Sequence, residues 1–129
     1  MVAFLSQDWL SALVGATSGV EPAEGATALV QYAVTGAPEG NAAYYVQYDD
    51  GRIVDAGVGK ASTGPDLTFT LTYGDAARLA TGELELSAAY MQGSLKAEGD
   101  MAQLFRLLPA THRPVYKAAL AEVAGTTDV

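Results

Sequence analysis

The chain carries one histidine and no cysteine, so the residues able to do chemistry are few and can be weighed singly. His112 is the one candidate base for a catalytic triad. Without a second histidine or any thiolate, a histidine-rich or cysteine metal site is excluded. His112 stands beside Arg113 and Pro114, where the simpler reading is a surface residue at the start of a helix. Asp49, Asp50 and Asp55 are acids close enough to suggest a cation, yet their spacing matches no calcium loop. Asp49-Asp50-Gly51-Arg52 is better explained as a hairpin turn, because Asp-Gly suits the positive dihedrals of a tight turn. Glu83 and Glu85 flank Leu84 between two helices, an ordinary place for solvated carboxylates. Gly57-Val58-Gly59-Lys60 lacks the preceding glycine of a phosphate loop, and no nucleophile elbow occurs. No catalytic residue, metal or cofactor is assigned, and an enzyme is not expected.

Five of the seven tyrosines (Tyr32, Tyr44, Tyr45, Tyr48 and Tyr73) fall in predicted strands. Tyrosine fits pleated surfaces well, so sheet packing is the simpler account of them. What remains is a set of bulky, flexible side chains on short helices with few polar anchors: Tyr90, Met91, Met101, Leu104, Phe105, Leu107 and Leu108. Core packing explains their pattern. Methionine and phenylalanine on short helices can also repack around an apolar guest.

The elements that position these residues are marked by changes of period. Ser6 is the expected cap of a first helix in which Trp9, Leu10, Leu13 and Val14 share a face and Gly15 is the stop. Thr27 to Thr35 and Ala42 to Tyr48 alternate as strands, separated by a loop at Gly36 to Asn41. Ile53 to Val58 returns from the hairpin, with Gly57 allowing a bend or a close approach. Leu67, Phe69, Leu71 and Tyr73 alternate with threonines as a further strand. Asp75 is expected to open a helix that Gly82 closes, and Ser87 to cap a short one ended by Gly93. Ser94 to Glu98 alternates again. Asp100 caps a helix that Pro109 is expected to stop, and Val115, Tyr116, Ala119, Leu120 and Val123 mark a last, alanine-rich helix before Gly125. Five strands and about five helices, three of the strands consecutive at the start, predict an α+β domain. Its helices gather on one face of a mostly antiparallel sheet.

A chain of 129 residues, half apolar and 17% charged, is expected to fold as a single domain over 1–129. Fifteen acidic residues against seven basic ones give a net charge of -8. Nucleic acid, which demands a basic footprint, is thereby not expected as a partner, and an anionic membrane surface repels the protein overall. No run reaches the roughly 20 apolar residues of a membrane span, so stable membrane insertion is not expected. MVAFLSQDWL has neither the basic region nor the apolar core of a signal peptide, and TTDV is not a peroxisomal address. A cytoplasmic protein is the expectation.

Residues 66–109 bring a more specific signal. An alternating strand (LTFTLT) precedes GDAARLATG and then AAYMQGSLKAEGDMAQLFRLL. In Ala80-Thr81-Gly82, Tyr90-Met91-Gln92-Gly93, Leu95-Lys96 and Gly99-Asp100 this stretch resembles the sterol carrier protein family, also called nonspecific lipid-transfer proteins. The absence of a basic surface and a peroxisomal signal sets it apart from many eukaryotic members and resembles a bacterial single-domain type. The resemblance implies a five-stranded sheet covered by helices around an apolar tunnel. It implies an apolar lipid or acyl ligand, namely fatty acid, acyl thioester, sterol or phospholipid, and no catalysis by the fold itself. On that footing Phe69, Leu71, Tyr90, Met91, Leu95, Met101, Leu104, Phe105 and Leu108 are expected at or near the cavity. The alternative is an accessory module that serves a separate lipid-metabolising enzyme, or that dimerises.

Overall fold

The computed structural model describes residues 2–128. In chain order its elements are β1 (Val2–Ala3), α1 (Gln7–Thr17), β2 (Ala28–Ala37), β3 (Gly40–Asp49), β4 (Arg52–Val58), β5 (Leu67–Thr72), α2 (Tyr73–Thr81), α3 (Leu86–Gln92), β6 (Leu95–Gly99), α4 (Met101–His112), α5 (Pro114–Ala124) and β7 (Thr127–Asp128). Five strands form one sheet in the order β4-β3-β2-β5-β6. Its central pair, β2 with β5, is parallel and the other three pairs are antiparallel. The two-residue β1 and β7 pair in parallel and join the two ends of the chain, a contact too short to show in a periodicity.

Alternation decides which face of the sheet is covered. Ala28, Val30, Tyr32 and Val34 on β2, Tyr44, Val46 and Tyr48 on β3, and Leu67, Phe69 and Leu71 on β5 are all buried on the inner face. The intervening Gln31, Gln47, Thr68 and Thr70 are half-buried on the other. Asp50 (φ 51) and Gly51 (φ 80) make the tight turn between β3 and β4 through left-handed backbone. The connection before β3 is shorter than the expected loop at Gly36 to Asn41. β2 continues through Ala37 and β3 starts at Gly40, with a register shift between Val34 and Ala37 absorbing the difference. Gly57 is opposite Tyr45, and a Cβ there would stand 2.5 Å from the Tyr45 hydroxyl, so the close approach is that of a tyrosine ring.

The helices begin where local chemistry satisfies their first amides. The Ser6 hydroxyl accepts the Trp9 N–H at 3.2 Å, and Asp100 accepts those of Ala102 and Gln103. α2 starts earlier than expected, because the Thr72 hydroxyl accepts the Asp75 N–H at 3.2 Å and Asp75 is already inside the first turn. Ser87 also lies within a helix: α3 begins at Leu86 with Glu85 before it and no side-chain cap. Gly82 (φ 82) and Gly93 (φ 80) end α2 and α3 in left-handed backbone.

Two expected stops are overrun. α1 passes Gly15 because the buried Thr17 hydroxyl donates to the Leu13 carbonyl and accepts the Ile53 N–H, both at 3.0 Å. That contact docks the last turn on β4. α4 passes Pro109 and ends at His112. Proline removes one amide and crowds the carbonyl four residues back, at Phe105. Here Leu107, Leu108, Ala110 and Thr111 are buried on both sides of it, and that packing carries the helix through.

Candidate functional site

A cavity of about 340 Å³ lies between the inner face of β2, β3 and β4 and the helices α1, α2 and α5. Trp9 and Leu13 of α1 form one wall, and Val46 and Ile53 of the sheet form the floor. Leu79 and Ala80 of α2 and Leu84 and Leu86 after it line the opposite side, with Leu120 and Ala121 of α5 above. Its volume is at the small end of the roughly 300–1,000 Å³ range of ligand sites.

Four phenols supply most of the polarity. Tyr32, Tyr44, Tyr48 and Tyr116 all line the cavity, each with less than a tenth of its surface exposed. The Tyr32 and Tyr44 rings stack across the strand pair with centroids 4.6 Å apart and 7° between planes. The Tyr32 and Tyr48 hydroxyls are hydrogen-bonded at 3.0 Å, and Tyr116 from α5 brings a third hydroxyl to that pair. The Trp9 ring meets Tyr44 edge-on at 5.5 Å. Burial pushes all four phenols above their ordinary range. For Tyr32 and Tyr116 the neighbouring phenols add to the rise, while hydrogen bonding to Tyr32 and Tyr116 offsets part of it at Tyr48. The cluster is therefore neutral at any physiological pH.

The charged residues of the cavity wall are Glu85 and Lys117. Their side chains are 41% and 39% exposed, which places them at the rim. Lys117 Nζ is 2.7 Å from Glu85 Oε1, and His112 Nδ1 is 2.7 Å from Glu85 Oε2. One carboxylate thus ties the start of α3 to the end of α4 and the first turns of α5. The hydrogen bond from Lys117 is the main reason that the Glu85 carboxyl is held below its ordinary value, with His112 adding to it. His112, expected where a helix begins, is instead the last residue of α4.

None of the nine residues expected at the cavity from the sequence lines it. They lie on β5, α3, β6 and α4, in the other half of the layer between sheet and helices. There α4 packs directly on β2 and β5, and Phe69, Leu71, Leu95, Leu104 and Leu108 are buried in the core. Phe69 meets the Tyr32 ring edge-on at 5.3 Å, so it backs the cavity wall from behind. Tyr90 and Met101 pack partly buried against this core. Met91 is 79% exposed and Phe105 57% exposed, the latter bordering a second, more open depression beside Arg106 and Pro109. The residues missed by the sequence reading are the tyrosines, Leu120, Glu85 and Lys117. The one available signal was that Tyr32, Tyr44 and Tyr48 fall on inward positions of adjacent strands.

Asp49 and Asp50 tie the β3–β4 hairpin to the segment before β2, and Asp55 accepts from the residue after it. Asp50 accepts the Gly25 N–H, Asp49 the Thr27 hydroxyl and Asp55 the Ala56 N–H. Among the described residues no group of three potential ligands is placed to hold a metal ion, and no helix is long and apolar enough to cross a membrane.

The arrangement is similar to that of several solved structures. Protein TT1886 of Thermus thermophilus superposes with a TM-score of 0.76 at 19% identity, over 94% of this chain and 90% of that one. A crystal structure of sterol carrier protein 2 gives 0.73 at 19% identity, over 94% and 99%. Palmitated sterol carrier protein 2-like 2 of Aedes aegypti gives 0.63 at 18% identity, over 84% and 96%. At such identities the likeness establishes the α+β fold and nothing finer. No curated protein matches the chain in sequence. The family model that does match spans residues 11–110, from α1 to the last turn of α4, and the chain belongs to the SCP-2 sterol transfer family, whose membership implies lipid or sterol binding and transfer.

Proposed function

We propose that the protein carries a single-chain apolar lipid in the cavity beneath α5, for transfer or for delivery to an enzyme. The observation that carries this reading is an apolar-walled space of about 340 Å³ inside a domain of a lipid-transfer family. A guest there meets the side chains of Leu13, Val46, Leu79, Leu84 and Leu120. The nine residues on β5, α3, β6 and α4 act as a backing layer, with Phe69 closest through Tyr32. A chain of about sixteen carbons gains roughly 12 kcal/mol from burial at about 0.8 kcal/mol per methylene. Association and ordering cost about 4–15 kcal/mol, so affinities near micromolar are expected.

Trp9, the one tryptophan of the chain, lines the cavity and reports on its contents. Titration with fatty acids, fatty alcohols and sterols should change its fluorescence saturably at up to tens of micromolar, roughly the affinity ceiling just given. No change with any of them, and no displacement of a bound fluorescent lipid, rejects the reading.

Delivery to a separate enzyme has its own support in the exposed Met91 and Phe105, two large apolar side chains on α3 and α4 that do not line the cavity. Transfer between vesicles that proceeds equally well in a Met91→Ser, Phe105→Ser variant agrees with that division. A collapse of vesicle transfer in the variant assigns those side chains to membrane contact instead.

A further inference from the structure

The polar groups of the cavity are sorted by depth. Both charged groups, Glu85 and Lys117, are at the rim and neutralise each other. The buried end holds hydroxyls, from Tyr32, Tyr48 and Tyr116, with the Tyr44 ring stacked beside them. We propose, resting on the lipid-carrier reading above, that this tyrosine cluster is a head-group site for a lipid ending in an uncharged hydroxyl, a chain alcohol bound head first.

The chemistry of the cluster selects for such an end. Each phenol is one donor and an acceptor. Tyr32 and Tyr116 are both hydrogen-bonded to Tyr48, which spends two of the three hydroxyl hydrogens, so the cluster offers a guest one donor together with acceptor lone pairs. An alcohol matches that mixture, since it both donates and accepts. An ionised carboxylate only accepts and would lie near no unpaired cation, after losing its hydration in an apolar enclosure. A bare hydrocarbon end would leave the cluster's spare hydrogen-bonding capacity unmet. Burial keeps the phenols neutral, so they supply no counter-charge of either sign. Tyr44 lines the same cavity and adds a further hydroxyl-bearing ring to its wall.

The test compares 1-decanol, decane and decanoate at pH 7, read by Trp9 fluorescence, in the wild type and in Tyr48→Phe and Tyr44→Phe. Tyr44→Phe leaves the Tyr32–Tyr48 hydrogen bond in place, so it serves if Tyr48→Phe disturbs the fold. The expected result is that decanol binding weakens about three- to tenfold in each variant, the equivalent of one hydrogen bond, while decane and decanoate change less than about twofold. Equal losses for all three ligands, an equal loss for decanoate, or no loss for decanol overturns the head-group assignment while lipid binding stands. If none of the three binds the wild type, the carrier reading itself fails and takes this inference with it.

Discussion

Glu85 is the residue through which three helices meet at the cavity rim, and its charge state should govern how easily that rim opens. Lys117 and His112 both hold the carboxyl below its ordinary value near 4.5. A depressed carboxyl stabilises the folded arrangement above its unfolded value, and the contribution is lost as pH falls through the lower folded one. Ligand release should therefore speed up below about pH 4.5 in the wild type. Glu85→Gln should show the faster release already at pH 7, by roughly twofold, as befits a half-exposed pair. Stopped-flow dilution of a fluorescent lipid across pH 3–7, a window set about the ordinary carboxyl values, measures both. At Gly99 the demand is steric. Its φ is 119° and an added Cβ would run into the Asp66 carbonyl, which is fixed by the Asp100 N–H at 2.8 Å. Gly99→Ala should cost about 2–3 kcal/mol or more in urea unfolding, from overpacking and backbone strain together. Asp100 and Ser6 were readable as caps because a cap is decided within three residues. The hydroxyl cluster was not, since Tyr32, Tyr48 and Tyr116 meet only after a strand, its neighbour and a helix 68 residues beyond Tyr48 have been brought together.

At the scale of elements, the division of labour between α4 and α5 explains where space remains. α4 packs on β2 and β5 with Leu104, Leu107 and Leu108 buried, and only Thr111 near its end reaches the cavity wall. α5 has alanines at 118, 119, 121 and 124, and its larger side chains Tyr116 and Leu120 reach into the cavity without filling it. The alanine-rich stripe was visible in the sequence. That it spans the hollow, while the methionine and phenylalanine helices are solid core or surface, depends on how closely each helix approaches the sheet. Periodicity carries no information about that distance. Pro109 illustrates the same limit: a local stop signal lost to tertiary packing of the turn beyond it. Leu120→Trp should fill the space from α5 and weaken lipid binding at least tenfold, with the fold retained because Leu120 is only partly buried. Leu104→Ala, on the solid side, should cost about 2–5 kcal/mol of stability. Lipid affinity per folded molecule should stay within about twofold, as expected for independent sites. Thermal unfolding and lipid titration of the two variants separate these effects.

For the whole molecule, the five-stranded sheet with helices on one face was legible, because alternation on β2, β3 and β5, the closing Gly82 of α2 and the Asp100 cap of α4 all point to it. At a net charge of -8 an anionic membrane repels the protein overall, and the binding energy of a carried lipid comes from burial of its apolar chain. Ligand bound only by the folded state stabilises it by about 2.7 kcal/mol at a hundredfold excess over Kd, a shift of several degrees in melting temperature for a domain of this size. Whether the space beneath α5 holds a lipid is tested by native mass spectrometry of the purified protein, before and after incubation with decanol and decanoate. A one-to-one complex with an apolar molecule is expected, strongly diminished in Leu120→Trp. A protein that flies bare in both conditions, or a complex that persists undiminished in Leu120→Trp, would contradict it.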